Sequence, residues 1–164
     1  MAQAHFQRLV PDEPFPSYTF VPGRAPHPRS DPVGHSFGVE DKVVSPLDPE
    51  RWRESRTYLY GLDLLNAQFF WEAHEQFEGL WLACGRRGVV ADFLKGLIKL
   101  AAAGVKHLEG RPDGVKSHAS RAAELWSGVG AEVFLGLNVT DLVRIAHEVH
   151  ENGWPATPPL LTPH

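Results

Sequence analysis

Proline is concentrated at one end of this chain. Nine of its 14 prolines fall in residues 1–49, and none lies between Glu50 and Arg111. Because proline removes a backbone donor and breaks helices, the first stretch cannot be largely helical, whereas the second can. The first stretch also holds aromatic residues, which disordered tails usually lack: Phe6, Phe15, Tyr18, Phe20 and Phe37. We therefore expect residues 1–47 to form an ordered, extended arm packed on a main domain.

Helical patterns fill residues 48–153. The triplet Asp48-Pro49-Glu50 is a typical helix start, and further start and stop signals predict helices at 49–66, 68–84, 89–109, 112–128 and, after an Asn138 cap, up to residue 152. Strand alternation is missing from this half. The sequence predicts an all-α fold, a compact bundle of about five helices over 48–153, with the extended Pro-rich arm before it and a C-terminal tail at 154–164.

Composition narrows the class of protein. The 164 residues carry a formal net charge of −4, which argues against a large nucleic-acid-binding surface. No apolar run is long enough to cross a membrane, and the first ten residues lack the apolar core of a secretory signal. The single cysteine, Cys84, can form neither an internal disulfide nor a CxxC metal site. We expect a cytoplasmic protein without nucleic-acid or membrane partners; a homo-oligomer is compatible with the sequence.

The second predicted helix contains an anomaly. On a helical wheel, His74 and Glu78 fall in the middle of the apolar stripe, on adjoining turns, whereas Glu72 and Glu75 fall on a solvated edge. A carboxylate inside an apolar stripe must be paired, hydrogen-bonded, metal-bound or neutral, because burying it bare costs several kcal/mol. We therefore expect both side chains to be mostly buried and to point toward the third or fourth helix, where His107 could meet them.

Three interpretations of this HExxE cluster stay open. It could be a buried polar network that only specifies packing, as such groups most often are. It could be a divalent-metal site with His74, Glu78 and His107 as ligands, although it lacks the second histidine of the HExxH motif. It could also perform metal-free acid–base chemistry.

Two long segments resemble domain of unknown function family 309. The run LNAQFFWEAHEQFEGLW at 65–81 looks like its first hallmark, and FLKGLIKLAAA at 93–103, followed by His107, looks like its second. The resemblance covers about residues 58–125 and implies a small all-helical domain whose activity is not established. The arm resembles an extension of some longer members. The positions that the resemblance marks are Asn66, His74, Glu75, Glu78, Trp81, Gly96 and His107.

In the arm, His27, Asp31 and His35 recur at four-residue spacing. Intervening prolines and a glycine prevent a continuous helix, so turn formation is the plainer interpretation and a lid over the bundle the functional one. A lid should leave a pocket beneath it, whereas a structural clasp should fill that space with aromatic side chains.

From the sequence we expect this helical domain to bind a small ligand or a divalent metal at a His/Glu centre between helices. The alternative is a non-catalytic interaction or scaffold domain whose polar network is structural. No catalytic residue is assigned. The candidate ligands or members of the polar centre are His74, Glu75, Glu78, His107, Asn66 and Trp81.

Overall fold

The chain folds into a helical bundle. The computed structural model describes residues 6–164, so residues 1–5 of the expected arm lie outside it. Its helices are α1 (Arg56–Asn66), α2 (Phe70–Ala83), α3 (Val89–Leu108), α4 (Pro112–Ser127) and α5 (Val139–Asn152). The predicted all-α fold of about five helices is confirmed. Among the residues described, no helix is both long and apolar enough to cross a bilayer.

The first helix begins later than the sequence predicts. The Asp48 carboxylate does not cap it but accepts a hydrogen bond from the Glu50 amide (2.9 Å), which closes a turn. A single 3₁₀ turn follows over Trp52–Glu54. Ser55 then caps α1, its side chain accepting a hydrogen bond from the backbone N–H of Tyr58. The start predicted at residue 49 is wrong because Asp48 turns the chain instead of starting the helix.

The remaining helices lie within two residues of their predicted bounds. Asn138 caps α5 as predicted, since its side chain accepts a hydrogen bond from the Asp141 amide.

A short hairpin between α4 and α5 was not predicted. Its strands are β1 (Val133–Phe134) and β2 (Leu137–Asn138), which pair antiparallel. The two turn residues, Leu135 and Gly136, both adopt positive φ (48° and 78°), the backbone that two-residue hairpin turns require. The Tyr58 hydroxyl donates to the Leu135 carbonyl (2.9 Å) and ties this turn to α1. Two-residue strands are too short to show sequence alternation.

Consecutive helices pack side by side, and α2 and α3 run antiparallel. Gly104, near the end of α3, lies against Phe70 at the start of α2; a Cβ on this glycine would be 2.4 Å from the ring. Conversely, the Lys95 Nζ near the start of α3 is 5.0 Å from the ring of Trp81 near the end of α2. A Cβ on Gly96 would likewise lie 2.2 Å from the indole nitrogen of Trp126 on α4. The Gly104–Phe70 and Lys95–Trp81 contacts fix the register of α2 against α3.

Residues 6–47, hereafter the arm, contain neither helix nor strand. They lie along α1 and α2, and Val10, Phe20 and Leu47 from this stretch are each less than a tenth exposed. Apolar burial alone does not account for the attachment, because buried polar side chains of α1 and α2 also hold the arm.

Candidate functional site

The buried face of α2 is turned away from the predicted cluster. On a helical wheel the centre of this face lies about 80° from His74 and about 120° from Glu78. The His74 side chain is 29% exposed and that of Glu78 is 42% exposed. The expectation of a mostly buried pair is therefore wrong for Glu78. The hydrophobic residues of α2 that are completely buried are Phe70, Ala73, Phe77 and Leu80.

The apolar stripe read from the sequence was broader than the face that α2 buries. Trp71 and Trp81 are only partly buried, and Leu82 is 46% exposed. These large side chains moved the apparent centre of the stripe toward His74. His74 consequently lies off the centre of the buried face, with a side chain that is 29% exposed.

His74 nevertheless forms a cluster with two carboxylates. Its Nδ1 lies 3.5 Å from a Glu75 carboxylate oxygen and 3.8 Å from one of Glu78. The three ligand atoms all lie within 4.8 Å of one another. The Nδ1 atom is buried and has no hydrogen-bond partner among the described residues. The edge of a tetrahedron with 2.1 Å metal–ligand bonds is about 3.4 Å, so small side-chain shifts would bring these atoms onto one ion.

His107, expected as the third ligand, does not join this cluster. Its side chain is exposed and its ring stacks on Trp154 at 6.3 Å. The register explains the error: Gly104 already lies level with Phe70, so His107 lies beyond the start of α2. At 1.5 Å per residue this places it roughly 10 Å along the axis from His74.

A cleft of about 700 Å³ lies between the arm and helices α1 and α2, and Glu75 and Glu78 line it. Of the predicted lid residues, His35 lines the cleft, whereas His27 and Asp31 do not. Tyr60 also lines it, and burial, reinforced by the negative charge of Glu13, raises the pKa of its hydroxyl to about 12. Further lining side chains come from α1 (Arg56, Thr57, Leu64), α2 (Trp71, Glu72, Gln76, Leu82) and the arm (Pro16, Arg29, Ser36, Val39, Asp41, Lys42, Val44).

Glu72 is buried, although the sequence placed it on a solvated edge. It is 5% exposed, and the arm covers it. Its carboxylate accepts hydrogen bonds from the Thr19 hydroxyl (2.8 Å), the Phe20 amide (2.8 Å) and the His35 Nε2 (2.9 Å). The wheel could not reveal this burial, because the atoms that cover Glu72 belong to residues 37 to 53 positions away.

Asp63 of α1 is a second buried anchor, and sequence reasoning missed it. It is completely buried, and its carboxylate accepts hydrogen bonds from the amides of Leu9 (2.8 Å) and Val10 (2.9 Å). The Arg8 guanidinium lies 3.5 Å from the same carboxylate. An acid between leucines 62 and 64 was the signal that could have identified it.

Asn66 holds the C-terminal tail instead of a ligand. Its amide nitrogen donates to the Leu161 carbonyl (3.0 Å), and its amide oxygen accepts from the Leu161 N–H (2.8 Å). Asp63, Asn66 and Glu72 are the buried polar residues of the described chain, and each binds an extended segment of the same chain.

The expected lid residues have separate roles. The His27 Nδ1 accepts from backbone amides two and three residues on (3.3 Å each), and Asp31 accepts from the Val33 amide (3.0 Å), so both residues stabilise turns. His35 alone of the three bonds to the bundle, through Glu72.

Aromatic packing and an open cleft occur together under the arm. Phe15 stacks on Phe69 at 5.1 Å, and Phe20 packs edge-on against Trp71 at 5.2 Å. Phe37 is 51% exposed. The arm thus combines the features expected of a clasp with those expected of a lid.

Trp81 lies about one turn after Glu78 on α2, and His118 lies on α4. The indole N–H of Trp81 is buried without a hydrogen-bond partner among residues 6–164. Burial lowers the pKa of His118, and the positive charges of Lys99, Lys106 and His74 lower it further.

Residues 58–118 match the family model described as Domain of unknown function (DUF309). The chain is therefore similar to the DUF309 family over 61 of its 164 residues. The matched DUF309 segment contains Asp63, Asn66 and Glu72, whereas the arm and tail residues that they bind lie outside it. It also contains the whole His74–Glu75–Glu78 cluster. No curated protein matches the chain.

Proposed function

We propose that this chain binds a divalent metal ion at His74, Glu75 and Glu78. The observation that carries the proposal is one imidazole nitrogen and two carboxylate oxygens within 4.8 Å of one another. The buried, unpartnered Nδ1 of His74 supports it, because an imidazole nitrogen without a hydrogen bond is costly unless something binds it.

The donor set favours a zinc-like ion. Imidazole and carboxylate ligands suit Zn²⁺, which takes three protein ligands in sites that keep a position open for water or substrate. Glu75 and Glu78 have no Lys or Arg partner among the described residues, so their charges are available to a cation. Because both residues line the cleft, a free coordination position would open onto it.

The second candidate function is a non-catalytic scaffold domain whose polar groups are structural. The observation that favours it is that three buried polar side chains each hold an extended segment of the chain: Asp63, Asn66 and Glu72. A scaffold would need no metal, so metal binding separates the two functions.

The test is thermal unfolding of the full chain with Zn²⁺, with Mn²⁺ and with a chelator. An ion present at a hundred times its Kd adds about 2.7 kcal/mol, which for a chain of this length raises Tm by about 5–10 °C. Glu78→Gln should abolish most of this increase.

The chain supplies its own control. A second HExxE sequence occupies 147–151 on α5, where His147, Glu148 and Glu151 are exposed and Glu148 already binds Arg144 (2.9 Å). Glu151→Gln should therefore leave the zinc-induced increase unchanged. An equal response of wild type and Glu78→Gln, or no response to either metal, would favour the scaffold function.

A further inference from the structure

The metal cluster and the cleft beside it share one face of α2. Glu75, Gly79 and Leu82 recur at positions i, i+4 and i+7 and all line the cleft, and Glu78 adjoins them. A Cβ on Gly79 would lie 3.6 Å from a Val44 methyl. The apolar part of the cleft lining therefore begins one residue after Glu78.

The cations of the cleft are already neutralised. Arg29 pairs with Asp41, Lys42 lies 3.7 Å from Glu13, and Arg56 bonds to the same Glu13 at 3.2 Å. No Lys or Arg of the lining is thus left without a carboxylate among the described residues. The lining holds five carboxylates against three Lys or Arg side chains, a formal excess of two negative charges that a divalent ion would cancel.

The cleft also exposes apolar side chains. Leu82 is 46% exposed and Val39 is 61% exposed, and both line it together with Val44. Covering such side chains with a ligand stabilises the complex in proportion to the apolar area removed from water. A ligand suited to this cleft has an oxygen donor for the metal, little further charge and an apolar body.

We propose that the cleft binds a short aliphatic molecule with an oxygen donor at one end, such as an acyl compound or monocarboxylate. The donor fills the open coordination position of the metal, and the chain lies along Val39, Val44 and Leu82. This inference rests on the proposed metal site, since the ion holds the polar end.

The test uses full chain loaded with Co²⁺ and two probes, acetohydroxamate and butyrohydroxamate. They present the same chelating group, so a difference in their affinities reports the contacts of two extra methylenes with the protein. The change in the visible absorption of the bound cobalt gives each Kd. We expect butyrohydroxamate to bind about tenfold tighter.

Leu82→Ser and Val39→Ser should reduce this tenfold preference severalfold. Val133→Ser, at a valine of β1 with an exposure (56%) between those of Leu82 and Val39, is the matched control and should keep the preference. Cobalt binding with equal affinities for the two probes would overturn the inference and leave the metal site standing. Failure of the wild type to bind cobalt would overturn the proposed function and the inference together.

Discussion

Replacing Glu72 with alanine is the most informative perturbation of the fold. The carboxylate is 5% exposed and accepts three hydrogen bonds from the arm, so its removal leaves three donors without an acceptor. Of these, the Phe20 amide cannot rotate toward water, because it is part of the backbone of a packed segment and Phe20 is only 8% exposed. The Thr19 hydroxyl has more freedom to find another partner.

The magnitude follows from these contacts. A hydrogen bond to a charged acceptor contributes about 1.5–3 kcal/mol, and a buried donor left without its acceptor costs about 1–3 kcal/mol. We expect Glu72→Ala to lower the free energy of unfolding by about 3 kcal/mol, since local detachment of the arm limits the loss. Glu78→Ala, at a side chain that is 42% exposed, should cost below about 1 kcal/mol in metal-free buffer.

Urea denaturation of both variants in the presence of a chelator measures these losses, and limited proteolysis identifies the segment that is released. Cleavage within residues 6–47 should be faster in Glu72→Ala than in the wild type, and unchanged in Glu78→Ala. Equal losses in the two variants, or an arm that resists protease as well without Glu72 as with it, would show that this carboxylate does not hold the arm.

Three other perturbations have defined outcomes. Gly104→Ala places a methyl group 2.4 Å from the Phe70 ring and should lower stability to urea by about 1–3 kcal/mol; an unchanged midpoint would contradict the close packing of α2 on α3. Asn66→Ala removes both hydrogen bonds to Leu161, so carboxypeptidase should trim the tail faster, and an unaltered rate would show that other contacts hold it. Burial and nearby positive charges lower the pKa of His118 from 6.5, so the unfolded chain binds this proton more readily and stability should fall as the pH drops below about 6.5. NMR titration should give a pKa of His118 below 6.5, and His118→Gln should reduce the acid sensitivity of unfolding. An ordinary pKa would contradict the burial of His118 near these positive charges.

Local signals in the sequence predicted the bundle well. Helix ends at glycines, the proline that opens α4 and the Asn138 cap act within a few residues of the chain, so they can be read directly. The predicted start of α1 was wrong because an Asp at position 48 can either cap a helix or form a turn. The inward packing of Trp52 favours the turn.

The candidate site was harder to predict because its geometry depends on distant segments. Glu72 is buried by residues of the arm, and a wheel of α2 contains no information about them. Similarly, His107 was placed beside His74 by matching faces, but only the packing of Gly104 on Phe70 sets how far the two helices are shifted along each other.

The measurement that tests the metal site most directly is X-ray diffraction at the zinc absorption edge, from crystals of the full chain grown with Zn²⁺. We predict an anomalous peak about 2.0–2.2 Å from the Nδ1 of His74 and from one carboxylate oxygen each of Glu75 and Glu78. A well-occupied zinc at His147–Glu151, with none at the α2 cluster, would contradict the proposal.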